Sequence, residues 1–250
     1  MTDAAAPSPS TPAASTKKKQ QRWFPLESNP QLMNDYVNKL GFDTNLYEFC
    51  DVYSTEDWAL AMVPQPVAAV VLLYPLTDQQ ESFRNQDKLA LDQLNTLWFT
   101  KQRIGNACGT IGLLHALQNA PDAVRVYRPH SWLAQFDADT PVPLDPVAKA
   151  ERLEGDDTIA TLHDQATSSE TNATQRGSID EELITHFIAL VHRHGRLYEL
   201  DGRKEAPVDH GPTTQETLLV DSVKVIQSFM QRDPGEMRFT ILALAPKQEG

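Results

Sequence analysis

The chain has 250 residues, with 22 Lys+Arg against 34 Asp+Glu and a formal net charge of −12. That length can bury a substantial core without staples, and the only two cysteines, Cys50 and Cys108, exclude a disulfide scaffold and favour a reducing compartment. Residues 1–22 carry +3 and the remainder −15, so the body lacks the basic face that a nucleic-acid binder needs to release counterions.

Residues 1–21 are Ala, Pro, Ser, Thr and Lys with almost nothing to bury, and they read as a disordered tail with a solvated Lys17-Lys18-Lys19 run. One domain is expected over residues 22–246, opening at Trp23-Phe24-Pro25-Leu26. Asn29 and Pro30 look like the N-cap and first position of a helix carrying Met33, Tyr36, Val37 and Leu40 on one stripe and stopping at Gly41. Trp58–Val63 and Val67–Leu73 read as strands. Thr77-Asp-Gln-Gln80 resembles a capping box opening a polar helix to about Leu94. A helix is expected from Cys108 to Gln118, with Ile111, Leu114 and Gln118 on one side.

Residues 151–181 are polar and irregular, the composition of a functional loop. His186–Val191 and Leu197–Leu200 read as strands joined at His194-Gly195. Thr213-x-x-Glu216 is a second capping box, before a stripe of Leu219, Val223, Ile226 and Met230, and Arg238–Leu244 closes the chain as a strand. The order of elements predicts a single α+β or mixed α/β domain. No apolar run approaches the roughly 18 residues needed to span a bilayer, and the N-terminus lacks an apolar signal core. A soluble intracellular protein is expected.

Cys108 stands out within Gln102-Arg-Ile-Gly-Asn-Ala-Cys-Gly-Thr-Ile-Gly112. A helix start places unpaired N–H groups and a positive dipole end beside its sulfur, which favours the thiolate. Ala107 and Gly109 would let a substrate backbone approach closely. Cys50, beside Phe49 and Asp51, reads as a structural cysteine.

A thiolate nucleophile needs a base, and the base an orienting acceptor. Seven histidines compete (His115, His130, His163, His186, His192, His194 and His210), and periodicity alone selects none. His186 opens an apolar strand, and Asp201 lies at the end of Leu197-Tyr-Glu-Leu200. Antiparallel pairing would bring the two within one hydrogen bond. His192-x-His194 has the look of a metal pair but lacks a third ligand nearby, and surface histidines at a strand edge are the simpler reading. His115, one turn from Ile111, reads as a hydrogen-bonded core imidazole.

Larger blocks carry a resemblance. Trp23-Phe-Pro-Leu-Glu-Ser-Asn-Pro30, Leu72-Leu-Tyr-Pro75, Asn106-Ala-Cys-Gly-Thr-Ile-Gly112, His186-Phe-Ile-Ala-Leu-Val191 and Leu197-Tyr-Glu-Leu-Asp-Gly-Arg-Lys204 resemble the ubiquitin carboxyl-terminal hydrolase family, peptidase family C12, in its short single-domain members. Asp209-His-Gly211 and Phe229-Met-Gln-Arg-Asp-Pro234 fit as well, and the resemblance spans about residues 23–245. It implies a papain-like α+β fold with a central antiparallel sheet flanked by helices and a knotted backbone. It also implies that Cys108 is the nucleophile, His186 the general base and acid, Asp201 the acceptor that orients His186, and Gln102 the side-chain donor to the oxyanion.

By the same resemblance the chain is a thiol-dependent deubiquitinase. It would free small or unfolded adducts from the C-terminal glycine of ubiquitin, or of the closely similar NEDD8, through an acyl-thioester, with no metal or organic cofactor. Residues 151–181 would form a crossover loop over the site. No nucleic acid or membrane partner is expected, and a cytoplasmic and also nuclear monomer is. Two alternatives remain open at this stage: a ubiquitin-sequestering protein whose triad is idle at rest, and an acyltransferase with an acceptor other than water.

Overall fold

The protein is described by a computed structural model, and the described residues are 21–84, 87–168, 179 and 183–248. The expected disordered tail lies outside them, apart from Gln21. The described strands are β1 (Tyr47–Asp51), β2 (Ala69–Pro75), β3 (Thr185–Arg193), β4 (Arg196–Leu200), β5 (Val208–Pro212) and β6 (Thr240–Pro246). They form one antiparallel sheet in the order β1-β6-β2-β3-β4-β5. The helices are α1 (Pro30–Leu40), α2 (Asp57–Leu60), α3 (Asp78–Arg84), α4 (Cys108–Asn119), α5 (Trp132–Asp139), α6 (Pro146–Glu154), α7 (Asp157–Thr167) and α8 (Leu218–Arg232). None among the described residues is long and apolar enough to cross a membrane.

β2 and β3 are near-continuous apolar runs because helices cover both faces of the sheet. Alternate residues enter opposite cores. Ala69, Val71, Phe187, Ala189 and Val191 join Ile111 and Leu114 of α4 on one side. Val70, Leu72, Ile188 and Leu190 join Leu219, Val223, Ile226 and Phe229 of α8 on the other. Each Val, Leu, Ile or Phe among them contributes about 1.5–3 kcal/mol by leaving water. Every residue of α4 is buried, so its N-terminus is held against the middle of the sheet. Asn29 caps α1 by accepting from the Leu32 N–H at 3.2 Å, as its sequence predicts.

Several expectations are corrected. The run Trp58–Val63 is not a strand: α2 and a turn occupy it, with Ala59, Leu60 and Val63 buried at helical spacing while Trp58 and Met62 face out. The stretch from 151 is not irregular, because α6 and α7 run through it to Thr167. Asp145 and Asp156 cap these helices on pairs of backbone N–H groups. The buried face is small and partly polar (Ala150, Leu153, Ile159, His163, Ala166), too faint a stripe to read from sequence. Residues 169–178, 180 and 181 of the expected crossover loop lie outside the described residues.

The Thr77 hydroxyl accepts from the Gln80 N–H, but the Gln80 side chain does not return to cap. It donates instead to the Phe229 carbonyl at 2.7 Å. α3 is described to Arg84, and Leu91–Asn95 is a separate 3-10 turn. α8 starts at Leu218, later than the Thr213 box implied, because the Thr213 hydroxyl is spent on Asp221.

Candidate active site

Cys108 is the first residue of α4, and Ala107 before it supplies no side-chain cap. The free N–H groups of the first turn and the positive end of the helix dipole therefore lie beside the sulfur. Asn106 takes a positive φ of 62° to turn the chain into the helix. Its Nδ2 donates to the Ile179 carbonyl at 3.4 Å. Gly109 corrects an expectation. A Cβ there would lie 3.0 Å from Leu26 Cβ and 3.5 Å from Phe187 Cδ2, so its missing side chain admits the core and not a substrate.

His186 sits on β3 opposite Tyr74 of β2, with the Tyr74 ring edge-on at 5.9 Å. The β3–β4 register pairs Ala189 with Leu200, so Asp201 falls diagonal to His186 and not directly across. The diagonal is close enough: His186 Nε2 donates to Asp201 Oδ1 at 2.7 Å. A hydrogen bond and the charge of Cys108 act on the same ring. All three residues are nearly buried, Cys108 at 4% exposed, His186 at 2% and Asp201 at 0%.

Burial alone would drive the imidazole toward neutrality. The Asp201 charge and hydrogen bond overcome this, and with Cys108 they raise His186 to about 9. Burial likewise favours a neutral Asp201, but the facing imidazolium and the Arg203 N–H, 2.8 Å from Oδ1, hold its carboxyl well below the usual range. At neutral pH the ring is therefore an imidazolium paired with a carboxylate.

Gln102 stands in the loop before Cys108. Its backbone N–H donates to the Gly202 carbonyl at 2.8 Å, and its Nε2 donates weakly to the Ile104 carbonyl at 3.3 Å. Gly202 is wedged tight. A Cβ there would meet Ile111 Cγ2 at 2.8 Å and Gln102 Cβ at 3.0 Å, so the residue after Asp201 packs between Gln102 and the first turns of α4. All four residues singled out from sequence thus gather around one turn, Asp201–Lys204. The arrangement is that of a thiol nucleophile, an oriented acid–base and an amide donor beside a helix N-terminus.

The remaining candidates are elsewhere. Cys50 is half-buried on β1, where burial and the charges of Asp51 and Glu48 push its thiol up to about 11. His115 is a core residue, as expected. It is fully buried, stacks on Phe99, accepts from the Thr100 N–H at 3.1 Å, and is held neutral by burial at about 4. His192 engages Gln215 with Nδ1 and the Gly195 N–H with Nε2, while His194 makes the hairpin turn. Sequence reasoning missed Tyr74, Asn106, and the buried Glu199 and Lys204 flanking Asp201. A glutamate inside the apolar run Leu197-Tyr-Glu-Leu200 was the available signal.

Sequence and fold are both similar to those of known proteins. The profile of "Ubiquitin carboxyl-terminal hydrolase, family 1" matches residues 23–231. The chain is 43% identical over 218 residues to a ubiquitin carboxyl-terminal hydrolase of Aplysia californica, covering 86% of this chain and 98% of that protein. It is 40% identical over 238 residues to ubiquitin carboxyl-terminal hydrolase 3 of Arabidopsis thaliana, covering 94% and 98%. With human ubiquitin carboxyl-terminal hydrolase isozyme L1 it shares 38% identity over 225 residues, covering 88% and 96%. Its fold is similar to the Trichinella spiralis UCH37 catalytic domain bound to ubiquitin vinyl methyl ester, at a TM-score of 0.73 and 20% identity over 91% of this chain and 96% of that one.

Proposed function

The chain belongs to the ubiquitin carboxyl-terminal hydrolase family, and from that premise we propose that it hydrolyses the bond between the C-terminal glycine of ubiquitin and a small or unfolded adduct, with Cys108, His186, Asp201 and Gln102 as the working residues. One observation carries the assignment: His186 bonds Asp201 at 2.7 Å, and Cys108 acts on the same ring.

Cys108 sulfur attacks the glycine carbonyl carbon, and the oxyanion is met by the Cys108 N–H and the Gln102 amide. His186 delivers its proton to the leaving amine, the C–N bond breaks, and an acyl-thioester remains. The now neutral ring takes a proton from water, whose oxygen attacks the thioester. The C–S bond then breaks to give the ubiquitin carboxylate and free Cys108. Asp201 keeps the ring oriented and stabilises its charged form without taking the proton.

The burial of Cys108 and His186 supports the limit on adduct size. A carbonyl reaches them only as part of an extended chain end, which a folded group on the leaving side obstructs. Tyr53, Trp58, Met62 and Met237 are large exposed apolar side chains, and Tyr53 borders a cavity of about 400 Å³ with Met230 and Phe239. NEDD8 is the alternative modifier.

The test is a ubiquitin C-terminal amide reporter beside a ubiquitin fusion to a folded domain. Steady turnover of the reporter with slow cleavage of the fusion is expected. Tight binding without turnover would leave a sequestering protein instead. The acid–base assignment adds a pH signature. The leaving amine is protonated by an imidazolium, so kcat/KM falls as pH rises through about 9, where His186 loses its proton. Asp201→Asn removes the charge that holds the proton against burial, and the alkaline limb then moves to lower pH. A limb that stays in place in Asp201→Asn would assign it to another group.

A further inference from the structure

β4 carries a charge that the mechanism does not use. Glu199 is 1% exposed beside the apolar Leu197, Tyr198 and Leu200 of its strand, and Lys204, three residues beyond Asp201, is 7% exposed. Their side chains meet in a close ion pair. The outer oxygens and protons are also taken. His210 Nε2 of β5 donates to Glu199 Oε2 at 2.9 Å, and Lys204 Nζ donates to Asp87 Oδ2 at 2.6 Å. The pair holds Glu199 ionised despite burial, with its pKa lowered by Lys204 and His210, and raises that of Lys204.

The position of this pair is the informative part. It closes a ring around the turn that carries Asp201. Within the ring, the Lys204 N–H donates to the Asp201 carbonyl at 2.9 Å, the Arg203 N–H to Asp201 Oδ1 at 2.8 Å, and the Gly202 carbonyl accepts the Gln102 N–H at 2.8 Å. Lys101 Nζ, next to Gln102, donates to the Lys204 carbonyl at 2.6 Å. The turn therefore presents the base-orienting carboxylate on one residue and the anchor of the oxyanion donor on the next. Net stability is a weak account of such a pair, since desolvation largely offsets the attraction of buried ions, and fixing one register is their best attested use.

We propose that Glu199 and Lys204 are positioning residues of the reaction: their ion pair staples the Asp201–Lys204 turn, so that one buried contact sets the His186 carboxylate and the Gln102 donor together. The proposal rests on the active-site reading above. Neither residue touches the reacting atoms. The groups facing His186 are Asp201, Cys108 and the Tyr74 ring, and those facing the pair are His210 and Asp87.

The decisive variant is the full chain with Glu199→Gln and Lys204→Met together, which leaves neither charge buried alone. With the ubiquitin amide reporter, kcat is expected to fall roughly 10- to 100-fold, the scale of an ångström-sized misplacement. KM should change by less than about threefold, because ground-state contacts are untouched. The alkaline limb should move to lower pH, as in Asp201→Asn, and the Gln102 amide proton should exchange faster with solvent. Combined with Asp201→Asn, the double substitution should cost little more, since the two act through one turn.

A folded double variant with wild-type kcat and an unmoved limb overturns the staple. If the double variant does not fold, Glu199→Gln alone decides, because Lys204 keeps Asp87: a lowered kcat with a shifted limb supports the staple, and a wild-type profile overturns it. Absence of turnover by the wild-type chain would fault the active-site reading instead, and the Gln102 exchange rate would still test the staple.

Discussion

Cys108→Ala is expected to lower turnover of a ubiquitin C-terminal amide by at least about 10⁴-fold, the scale seen when a nucleophile that acts as a unit with its base is removed. Ubiquitin binding should stay nearly unchanged. The thiol is only 4% exposed and adds little contact in the ground state. Cys50→Ala should keep full activity, since that thiol stays protonated on β1, away from the base. The measurement pairs reporter turnover with calorimetric binding of free ubiquitin. A Cys108→Ala rate near wild type would end the assignment of the nucleophile.

Gln102→Ala is expected to lower kcat by about 10²–10³-fold, the usual loss for one oxyanion donor, with KM within about twofold. At rest the Gln102 amide makes only a 3.3 Å bond to the Ile104 carbonyl. It is therefore free to strengthen its bonding when negative charge appears on the substrate oxygen. The backbone anchor to Gly202 does not depend on the side chain, so the loop should hold its place. Steady-state kinetics separate the two constants, and a defect confined to KM would make Gln102 a binding residue.

How much of this was legible in the sequence follows from where each signal lives. α1 announced itself because Asn29, Pro30 and Gly41 mark its ends and its apolar stripe is complete. The β3–β4 hairpin did so through two apolar runs around His194-Gly195. β1 did not: Tyr47–Asp51 buries only Phe49, and its place is decided by pairing with a strand nearly 200 residues away. α7 buries His163 and Thr167 with small apolar residues, and those polar groups find partners only in the fold: His163 bonds Thr110 at 2.9 Å and the Phe24 carbonyl at 2.6 Å.

The four residues of the site were found one by one from motif and likeness. The pairing of His186 with Asp201 was also legible from the antiparallel strands, but the register that sets them diagonal, and the glycine that seats Asp201 beside Gln102, are facts of packing. Glu199 and Lys204 show the same limit. As sequence they are an ordinary charged pair five residues apart, and only burial makes them unusual.

The strand order bears on how the protein is made. β6 is the last strand synthesised, yet it lies between β1 and β2 and completes both. Until a ribosome has released Thr240–Pro246, β1 has no neighbour, and the β2 edge stands open with Ala69, Val70 and Val71 along it. A message cut short before Thr240 therefore yields a chain with an unpaired β1 and a bare apolar edge on β2, the kind of surface that recruits other nascent chains into aggregates. Emergence of Thr240–Pro246 from the ribosome, more than any earlier step, is the event that closes this sheet.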